Sequence, residues 1–265
     1  MSLPEDTETI EVFARHIANA RHLVVLTGAG MSQESGIPTF RDAHTGLWER
    51  FNPAQLATRG AWREDRNLVM GWYCWRAANV RDAVPNAGHV AIAKLEQQKA
   101  RFTLITQNVD DLHERGGSKD VIHLHGRIGF LRCFACNRPG GALNIAGDAR
   151  DNPQLRIEPD RCGHCGGFLR PDVTWFGEQM PQAAWKRARE AAGDCDVFLI
   201  IGTSLEVQPA AQLPMYAARN RAVVLEINPE ARDDVRPARL SMRTTAADGL
   251  PQIVQITSLL TEVSR

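Results

Sequence analysis

The chain has 265 residues, enough for one large domain or two smaller ones, and its 43% hydrophobic content provides material for a real core. Its 31 basic and 31 acidic side chains cancel, which argues against a protein that binds nucleic acid through bulk charge. The acidic N-terminus lacks the pattern of a signal peptide, and no run approaches the ~18 apolar residues of a membrane helix, so we expect a cytoplasmic protein.

Helical and strand patterns alternate along the chain. Apolar residues at helical spacing predict helices at residues 7–20, 87–98, 181–192 and 210–219. Short apolar runs that end in small or polar residues predict strands at residues 23–26, 102–108, 197–204 and 222–229. Continuous hydrophobicity is typical of parallel strands that are buried on both faces. We therefore predict an α/β fold with a Rossmann-like, doubly wound parallel sheet, whose ligands bind beyond the carboxyl ends of the strands.

The first predicted strand ends in a glycine-rich turn. Gly28, Ala29 and Gly30 would let backbone amides approach a phosphate closely, as the turns of dinucleotide-binding proteins do. A bare G-x-G is weak evidence by itself. We also expect the loop to continue toward Phe40 and Arg41 instead of entering a helix at once, so it differs from the usual G-x-G-x-x-G fingerprint.

Residues 71–80 place two tryptophans and Tyr73 around Arg76. If this segment is helical, Tyr73 and Arg76 lie on one face, three residues apart. One interpretation is that the aromatic rings pack in the core while Arg76 extends to water. The other interpretation is that the guanidinium binds an anionic group of a ligand, because a buried arginine needs a negatively charged partner.

Polar residues follow the second predicted strand. Gln107, Asn108 and Asp110 cluster there, although an Asn or Asp at this position could equally cap a short helix. Two histidines follow at 123 and 125, and such residues are most often structural hydrogen-bonding groups. The ordinary pKa of a histidine lies near neutral pH, which suits a general base.

Small polar residues end the last two predicted strands. Gly202, Thr203 and Ser204 can bind phosphate and ribose oxygens. Asn228 follows the last predicted strand and could be an ordinary turn residue before Pro229. All of these groups lie where a parallel sheet binds its ligand.

Four of the six cysteines form two C-x-x-C pairs that 25 residues separate. The four are Cys133, Cys136, Cys162 and Cys165. In a reducing compartment this pattern predicts one structural zinc ion held by four thiolates, and a redox dithiol is the alternative. The spacer between the pairs is rich in Gly, Pro and Asp and carries few apolar residues, so we expect a loop that depends on the metal.

Taken together, these segments resemble the sirtuins, the NAD-dependent protein-lysine deacylases. Besides the cysteine pairs, the matching segments are "GAGMSQESGIPTFR", "TQNVDDLHERGG", "LHGR", "RPDVTWFGE", "GTSLEVQP" and "INPE", in family order across about residues 20–250. The resemblance implies a Rossmann-like NAD domain with a helical insertion and a zinc module. The NAD domain is expected at residues 1–43, 86–126 and 173–265, the insertion at 44–85 and the zinc module at 127–172.

The resemblance also implies roles toward NAD, the co-substrate. Asn108 is expected to contact the ribose, Asp110 to hold the nicotinamide carboxamide, and His125 to be the general base; His125 and Asn108 are the expected catalytic residues. Phe40 is expected to shield the reacting ribose carbon from water, and Arg41 to organise the loop. The other residues expected to bind NAD are Gly28, Ala29, Gly30, Gln107, Gly202, Thr203, Ser204 and Asn228.

The acylated peptide is expected to bind as an extra strand. In the family it lies between the segment that holds Val173, Phe176 and Gly177 and the loop near Val207, and the Val173 carbonyl is the expected acceptor for the substrate amide. Such main-chain pairing gives affinity without strict sequence choice.

Tyr73 and Arg76 match the Tyr-x-x-Arg pair of sirtuins that remove acidic acyl groups such as succinyl, malonyl and glutaryl. We therefore predict acyl transfer from protein lysines to NAD, giving nicotinamide and 2′-O-acyl-ADP-ribose, with acetyl groups removed less well. A plain deacetylase and a protein ADP-ribosyltransferase remain alternatives, and a zinc-module binding protein with a vestigial NAD fold is disfavoured. We expect no nucleic-acid or membrane partner, and a monomer.

Overall fold

The computed structural model describes residues 4–38, 51–231 and 240–263. Its larger sheet has six parallel strands in the order β3-β2-β1-β7-β8-β9. These strands are β1 Leu23–Thr27, β2 Phe102–Thr106, β3 Val121–His123, β7 Val197–Ile201, β8 Val223–Ile227 and β9 Leu240–Met242. The order reverses on either side of β1, as in doubly wound sheets, so the predicted Rossmann-like α/β fold is confirmed.

Helices cover both faces of this sheet. The helices are α1 Pro4–Asn19, α2 Gly30–Gln33, α3 Pro53–Leu56, α4 Arg59–Asp82, α5 Ala87–Gln98, α6 Leu112–Arg115, α7 Gln182–Gly193, α8 Leu213–Arg219 and α9 Ala246–Val263. Side chains alternate across each strand, so Leu23 and Val25 pack with α1, α5 and α9, whereas Val24 and Leu26 pack with α7 and α8. The two apolar layers bury β1 completely, which explains its continuous hydrophobicity.

A smaller antiparallel sheet has the order β5-β4-β6. Its strands are β4 Gly126–Cys133, β5 Pro139–Ala142 and β6 Leu169–Val173. They share a third apolar cluster with α4, in which Trp62, Trp72 and Trp175 are almost fully buried. The candidate site residues lie in two places: after the parallel strands of the larger sheet, and in the apolar cluster that α4 shares with the smaller sheet.

Helix α4 contains a kink at Asp65, whose backbone leaves the helical region (φ −147°, ψ 78°). The Asp65 carboxylate accepts a hydrogen bond from the Leu68 amide at 3.1 Å and so caps the second half of the helix. That second half carries Tyr73 and Arg76.

The predicted elements are observed with ends that differ by up to a few residues, and the structure adds further elements. The predicted helix at 210–219 divides into a 3₁₀ turn at Ala210–Gln212 and α8, with Pro214 in the first turn of α8. Strands β3 and β9 were not predicted because each has only three residues. Helix α9 was also missed; its apolar spacing could have revealed it, although Pro251 in the helix argued against it. The division of the chain into an NAD domain, an insertion and a zinc module stays a prediction.

Candidate active site

The turns after β1 and β7 lie in direct backbone contact. The Gly28 amide donates to the Ile201 carbonyl at 3.0 Å, and the Gly30 amide donates to the Gly202 carbonyl at 2.9 Å. A Cβ added to Gly28 would lie 2.5 Å from the Thr203 Cβ, and one added to Gly30 would lie 2.9 Å from the Gly202 Cα. Glycine is therefore required for this packing, which leaves bare backbone at the edge where a nucleotide is expected.

The expectation that the glycine loop would not enter a helix at once was wrong. One turn of helix, α2, begins at Gly30, because the Met31 amide bonds to the Gly28 carbonyl and the chain turns immediately. Phe40 and Arg41, the expected shielding and loop-organising residues, lie outside the described residues.

Ser32 connects two of the predicted site residues. The Asn108 side-chain amide donates to the Ser32 hydroxyl at 3.1 Å, and that hydroxyl donates to the Asp110 carboxylate at 3.0 Å. The second carboxylate oxygen of Asp110 accepts from the Leu112 amide at 3.1 Å. Burial raises the pKa of Asp110, and the hydrogen bonds from Leu112 and Ser32 oppose that shift. Ser32 was not predicted, because a serine within a glycine-rich motif carries no distinctive signal.

The remaining NAD candidates connect three strand ends. Gln107, after β2, donates from its side-chain amide to the Thr203 hydroxyl at 2.9 Å. Asn228, after β8, donates to the Thr203 backbone carbonyl at 3.3 Å. Ala29 is half-buried and Ser204 is exposed on the same turns. The expected NAD residues in the described part of the chain therefore follow β1, β2, β7 and β8, at the carboxyl ends of these strands. We call this side of the larger sheet the NAD edge.

His125 is held in one tautomer. Its Nδ1 lies 3.0 Å from the Gln107 backbone carbonyl. Because a carbonyl only accepts, Nδ1 carries the proton, and Nε2 of the neutral ring keeps a lone pair. Burial lowers the pKa of His125, and the Gln107 carbonyl only partly opposes this shift. The ring is thus a neutral base near pH 7 with its free nitrogen fixed in direction.

Two further histidines lie beneath these loops. His113 Nε2 donates to the Thr27 hydroxyl at 2.9 Å, and Thr27 donates to the Thr106 hydroxyl at 2.8 Å, which joins α6 to the ends of β1 and β2. The His89 ring packs edge-on against His113 with ring centres 4.9 Å apart. Burial lowers the pKa of His89 to about 4 and that of His113 well below its ordinary value.

Arg76 and Tyr73 lie together on α4. Tyr73 is fully buried, and its hydroxyl accepts a hydrogen bond from Trp175 Nε1 at 2.9 Å. The half-buried Arg76 guanidinium lies 4.8 Å from the Trp72 ring centre and 5.6 Å from that of Tyr73. Burial lowers the pKa of Arg76, while Tyr73 and the more distant Asp110 oppose the shift. No carboxylate in the described part of the chain forms an ion pair with Arg76.

The expected peptide-binding residues lie at the end of β6, in the turn after it, and near Val207. Val173 is buried, and its carbonyl already accepts hydrogen bonds from the guanidiniums of Arg132 and Arg170, both at 3.3 Å. The side chains of Phe176 and Val207 are 48% and 41% exposed. Gly177 has a positive φ of 81°, so this turn favours glycine.

Glu178 fixes the shape of this segment. Its carboxylate accepts from Arg170 at 2.7 Å, from Arg132 and Arg59 at 3.1 Å each, and from the Trp175 amide at 3.0 Å. Burial raises the pKa of Glu178, but the Trp175 amide and the arginines outweigh burial, so the carboxylate stays ionised. This network was not predicted, because its arginines come from three separate elements.

The four predicted metal ligands converge in the small sheet. Their ligand atoms all lie within 4.8 Å of one another, with Sγ–Sγ distances of 3.5 Å for Cys133–Cys165 and 3.8 Å for Cys136–Cys162. Tetrahedral zinc with 2.3 Å bonds places its sulfurs about 3.8 Å apart. The donor set therefore fits one zinc ion, and four thiolates leave no open position for catalysis, so the zinc is structural.

The Sir2 family model matches residues 28–209, well over half of the chain. The chain belongs to the Sir2 family. The NAD-dependent protein deacylase of Methylococcus capsulatus is 48% identical over 241 residues, covering 90% of this chain and 93% of that protein. NAD-dependent protein deacylase 1 of Pseudomonas aeruginosa is also 48% identical over 241 residues, covering 90% of this chain and 95% of that protein.

Solved structures agree with this assignment. A Sir2 homologue in complex with NAD has 41% sequence identity and a TM-score of 0.86, covering 95% of this chain and 94% of that chain. A mutant Sir2 homologue in complex with 2′-O-acetyl ADP ribose has 40% identity and a TM-score of 0.85, covering 95% and 97%. The resemblance to sirtuins inferred from the sequence motifs is thus confirmed. In the described ranges, none of the helices has both the length and the apolar character needed to cross a membrane.

Proposed function

We propose that this Sir2-family chain is an NAD-dependent protein-lysine deacylase whose acyl pocket favours acidic acyl groups. Deacylation of protein lysines follows from the family and from relatives that are named deacylases over nearly their whole length. The acidic preference rests on one observation: Arg76 is half-buried against aromatic rings beside fully buried Tyr73, without a described carboxylate partner. A carboxylate at the tip of a succinyl, malonyl or glutaryl chain would complete this site.

The hydrogen-bonding capacity of Tyr73 supports the same conclusion. Its hydroxyl oxygen accepts from Trp175, which leaves the hydroxyl proton to donate. A carboxylate accepts both from this hydroxyl and from the forked guanidinium of Arg76. The methyl group of an acetyl chain has no hydrogen-bond acceptor at this place. With an acetylated substrate, the Tyr73 hydroxyl and the Arg76 guanidinium can therefore donate only to water.

The size of the preference follows from the exposure of Arg76. Removing the partner of a fully buried charge costs about 3–5 kcal/mol. Since Arg76 is only half-buried, water recovers part of this energy, and we take about 2 kcal/mol. At about 1.4 kcal/mol per tenfold, kcat/KM for succinyl-lysine should exceed that for acetyl-lysine about thirtyfold.

The proposed catalytic role of His125 follows from its tautomer. When bound, NAD supplies the electrophilic ribose carbon that receives the acyl oxygen as nicotinamide departs, and its 2′-hydroxyl finally carries the acyl group. His125 takes the proton of a ribose hydroxyl at Nε2, while Nδ1–H donates to Gln107 and keeps the ring in place. The lowered pKa of His125 keeps Nε2 unprotonated at neutral pH.

Asn108 and Asp110 act through fixed geometry. The Ser32 hydroxyl accepts from Asn108 and donates to Asp110, which restricts the rotation of both side chains. We assign Asn108 to the ribose and Asp110 to the carboxamide of nicotinamide. The interlocked Gly28, Gly30 and Gly202 turns carry no side chains, so the phosphates can approach the backbone closely there.

The peptide is proposed to lie beside the segment 173–177 and near Val207, as an added strand. The Val173 carbonyl would then accept the substrate amide only if one of its 3.3 Å bonds to Arg132 or Arg170 yields. These bonds are long, so the exchange costs little.

The proposal is tested with Arg76→Met, which keeps most of the side-chain volume and removes the charge. We measure kcat/KM by nicotinamide release, using matched acetyl-, succinyl- and glutaryl-lysine peptides. The variant should lose about thirtyfold with the two acidic groups and less than about threefold with acetyl. Arg63→Met is the matched control, because Arg63 is an exposed residue of the same helix that faces Phe134. Equal losses for all three peptides, or a wild type that prefers acetyl, would contradict the acidic preference.

A further inference from the structure

The spacer between the two cysteine pairs touches α4 at Gly71. A Cβ added to Gly71 would lie 2.5 Å from the Leu155 carbonyl oxygen and 2.6 Å from that of Gln154. Both distances are shorter than a Cβ tolerates, and both neighbours are backbone atoms that cannot rotate away. Helix and spacer therefore meet here backbone to backbone, and only glycine permits this approach.

Other contacts join the spacer to the ends of the same helix segment. At the kink, Arg156 pairs with Asp65 at 2.6 Å, and the Ile157 amide donates to the Asn67 carbonyl at 2.9 Å. At the far end, Arg81 donates from its guanidinium to the carbonyls of residues 146 and 147 at 3.1 and 2.8 Å. From position 65 to position 81 the helix rises about 24 Å, so the spacer supports most of α4.

The acyl-pocket residues lie between these contacts. At 100° per residue, Tyr73 points about 200° and Arg76 about 140° around the helix from Gly71. The spacer therefore contacts the face of α4 that points away from Tyr73 and Arg76. Apolar spacer residues, among them Leu143, Leu155 and Ile157, belong to the same core cluster as Trp72 and Tyr73. The spacer thus packs against the side of α4 that is opposite Tyr73 and Arg76.

We infer that Gly71 and the spacer segment 143–157 position the helix that carries Tyr73 and Arg76, and that Gly71 is a specificity-determining position. This inference rests on the proposed acidic-acyl pocket. A side chain at Gly71 would separate helix and spacer by a few tenths of an ångström or more. The shift would move Arg76 relative to the acyl tip while leaving the NAD edge of the larger sheet in place.

The test compares Gly71→Ala with Gly60→Ala. Both place alanine in α4, so both gain the same helix propensity, but a Cβ at Gly60 meets only the Thr58 hydroxyl at 3.7 Å. We expect Gly71→Ala to raise KM for the succinyl peptide about tenfold, since small displacements of a positioning group are costly. KM for NAD and kcat should stay within about twofold of the wild type, and Gly60→Ala should match the wild type throughout.

A second variant keeps the inference testable if Gly71→Ala does not fold. Arg156→Gln removes the ion pair to Asp65 at the kink without introducing a clash, and it should raise KM for the succinyl peptide about threefold. An unchanged succinyl KM in a folded Gly71→Ala enzyme, or in Arg156→Gln where the first variant fails, overturns the positioning role. A wild type without succinyl preference instead overturns the proposed function, so the two failures are distinguishable.

Discussion

The NAD edge and the acyl pocket are held in different ways. At the NAD edge, the glycine turns and the residues after β2 meet through short hydrogen bonds, and each group lies within a few residues of a strand end. In the acyl pocket, Arg76 is held by ring faces, and its helix is supported by a spacer more than sixty residues away in sequence. The geometry of the NAD edge follows from the parallel sheet, whereas the geometry of the acyl pocket depends on packing between segments that are distant in sequence.

This difference separates chemistry from selectivity. In the proposed function, the polar network after β1 and β2 acts on NAD and should serve every acyl group alike. The proposed pocket on α4 would contact only the tip of the acyl chain. Variants in the acyl pocket should therefore change the ratio of kcat/KM for succinyl-lysine to that for acetyl-lysine. Variants at the NAD edge should lower both values and leave this succinyl-to-acetyl ratio unchanged.

The largest effect is expected for His125→Ala at the NAD edge. Loss of a general base lowers kcat by about 10³-fold, and the loss should be equal for succinyl- and acetyl-lysine because His125 does not contact the acyl tip. Single-turnover formation of acyl-ADP-ribose with both peptides measures it. NAD binding, followed by calorimetry, serves as the control for folding. A loss confined to one acyl group would place His125 in the pocket and break the comparison.

The same difference explains what the sequence could reveal. It was predictable that the candidate NAD residues of the described chain would lie together, because they follow apolar strands of recognisable pattern and parallel strands bring their carboxyl ends together. The zinc cysteines were predictable from spacing alone. Ser32 was not, since its role depends on contacts with Asn108 and Asp110, which are more than seventy positions away. The Glu178 network and the Gly71 contact likewise arise only after folding, because arginines and a helical glycine have no local signature.

Acidic pH should destabilise the NAD edge. The unfolded chain binds a proton at His89 near pH 6.5, whereas the folded pKa is about 4, so stability is complete above the unfolded value and falls as the pH decreases toward 4. Between pH 7 and pH 5, His89 should contribute a loss of about 2 kcal/mol in the free energy of unfolding. Denaturant titrations at both pH values measure this loss.

The matched variant for this experiment is His89→Gln. His89 Nδ1 accepts a hydrogen bond from the Asn86 amide at the start of α5, and a glutamine oxygen can accept the same bond. The variant should therefore fold and should lose about 2 kcal/mol less than the wild type between the two pH values. The same loss in both proteins would show that other groups carry the acid sensitivity.

The smallest effect is expected for Ser32→Ala, and it tests whether the NAD edge is a connected network. The substitution removes the partner of the Asn108 amide and one partner of the Asp110 carboxylate, both of which are buried. Both hydrogen bonds are also present before NAD binds, so we take only the part of their energy that orients Asn108 and Asp110, about 1–1.5 kcal/mol, to affect the reaction. The value of kcat/KM for NAD should therefore fall about tenfold, with the succinyl-to-acetyl ratio unchanged. Ser118→Ala is the control, since the buried Ser118 hydroxyl has no hydrogen-bond partner among the described residues. A changed acyl ratio in Ser32→Ala would mean that the network reaches Arg76 through Asp110, the distant carboxylate whose charge opposes the lowering of the Arg76 pKa by burial. The two regions would then act as one site, and acyl selectivity would depend on how NAD is held.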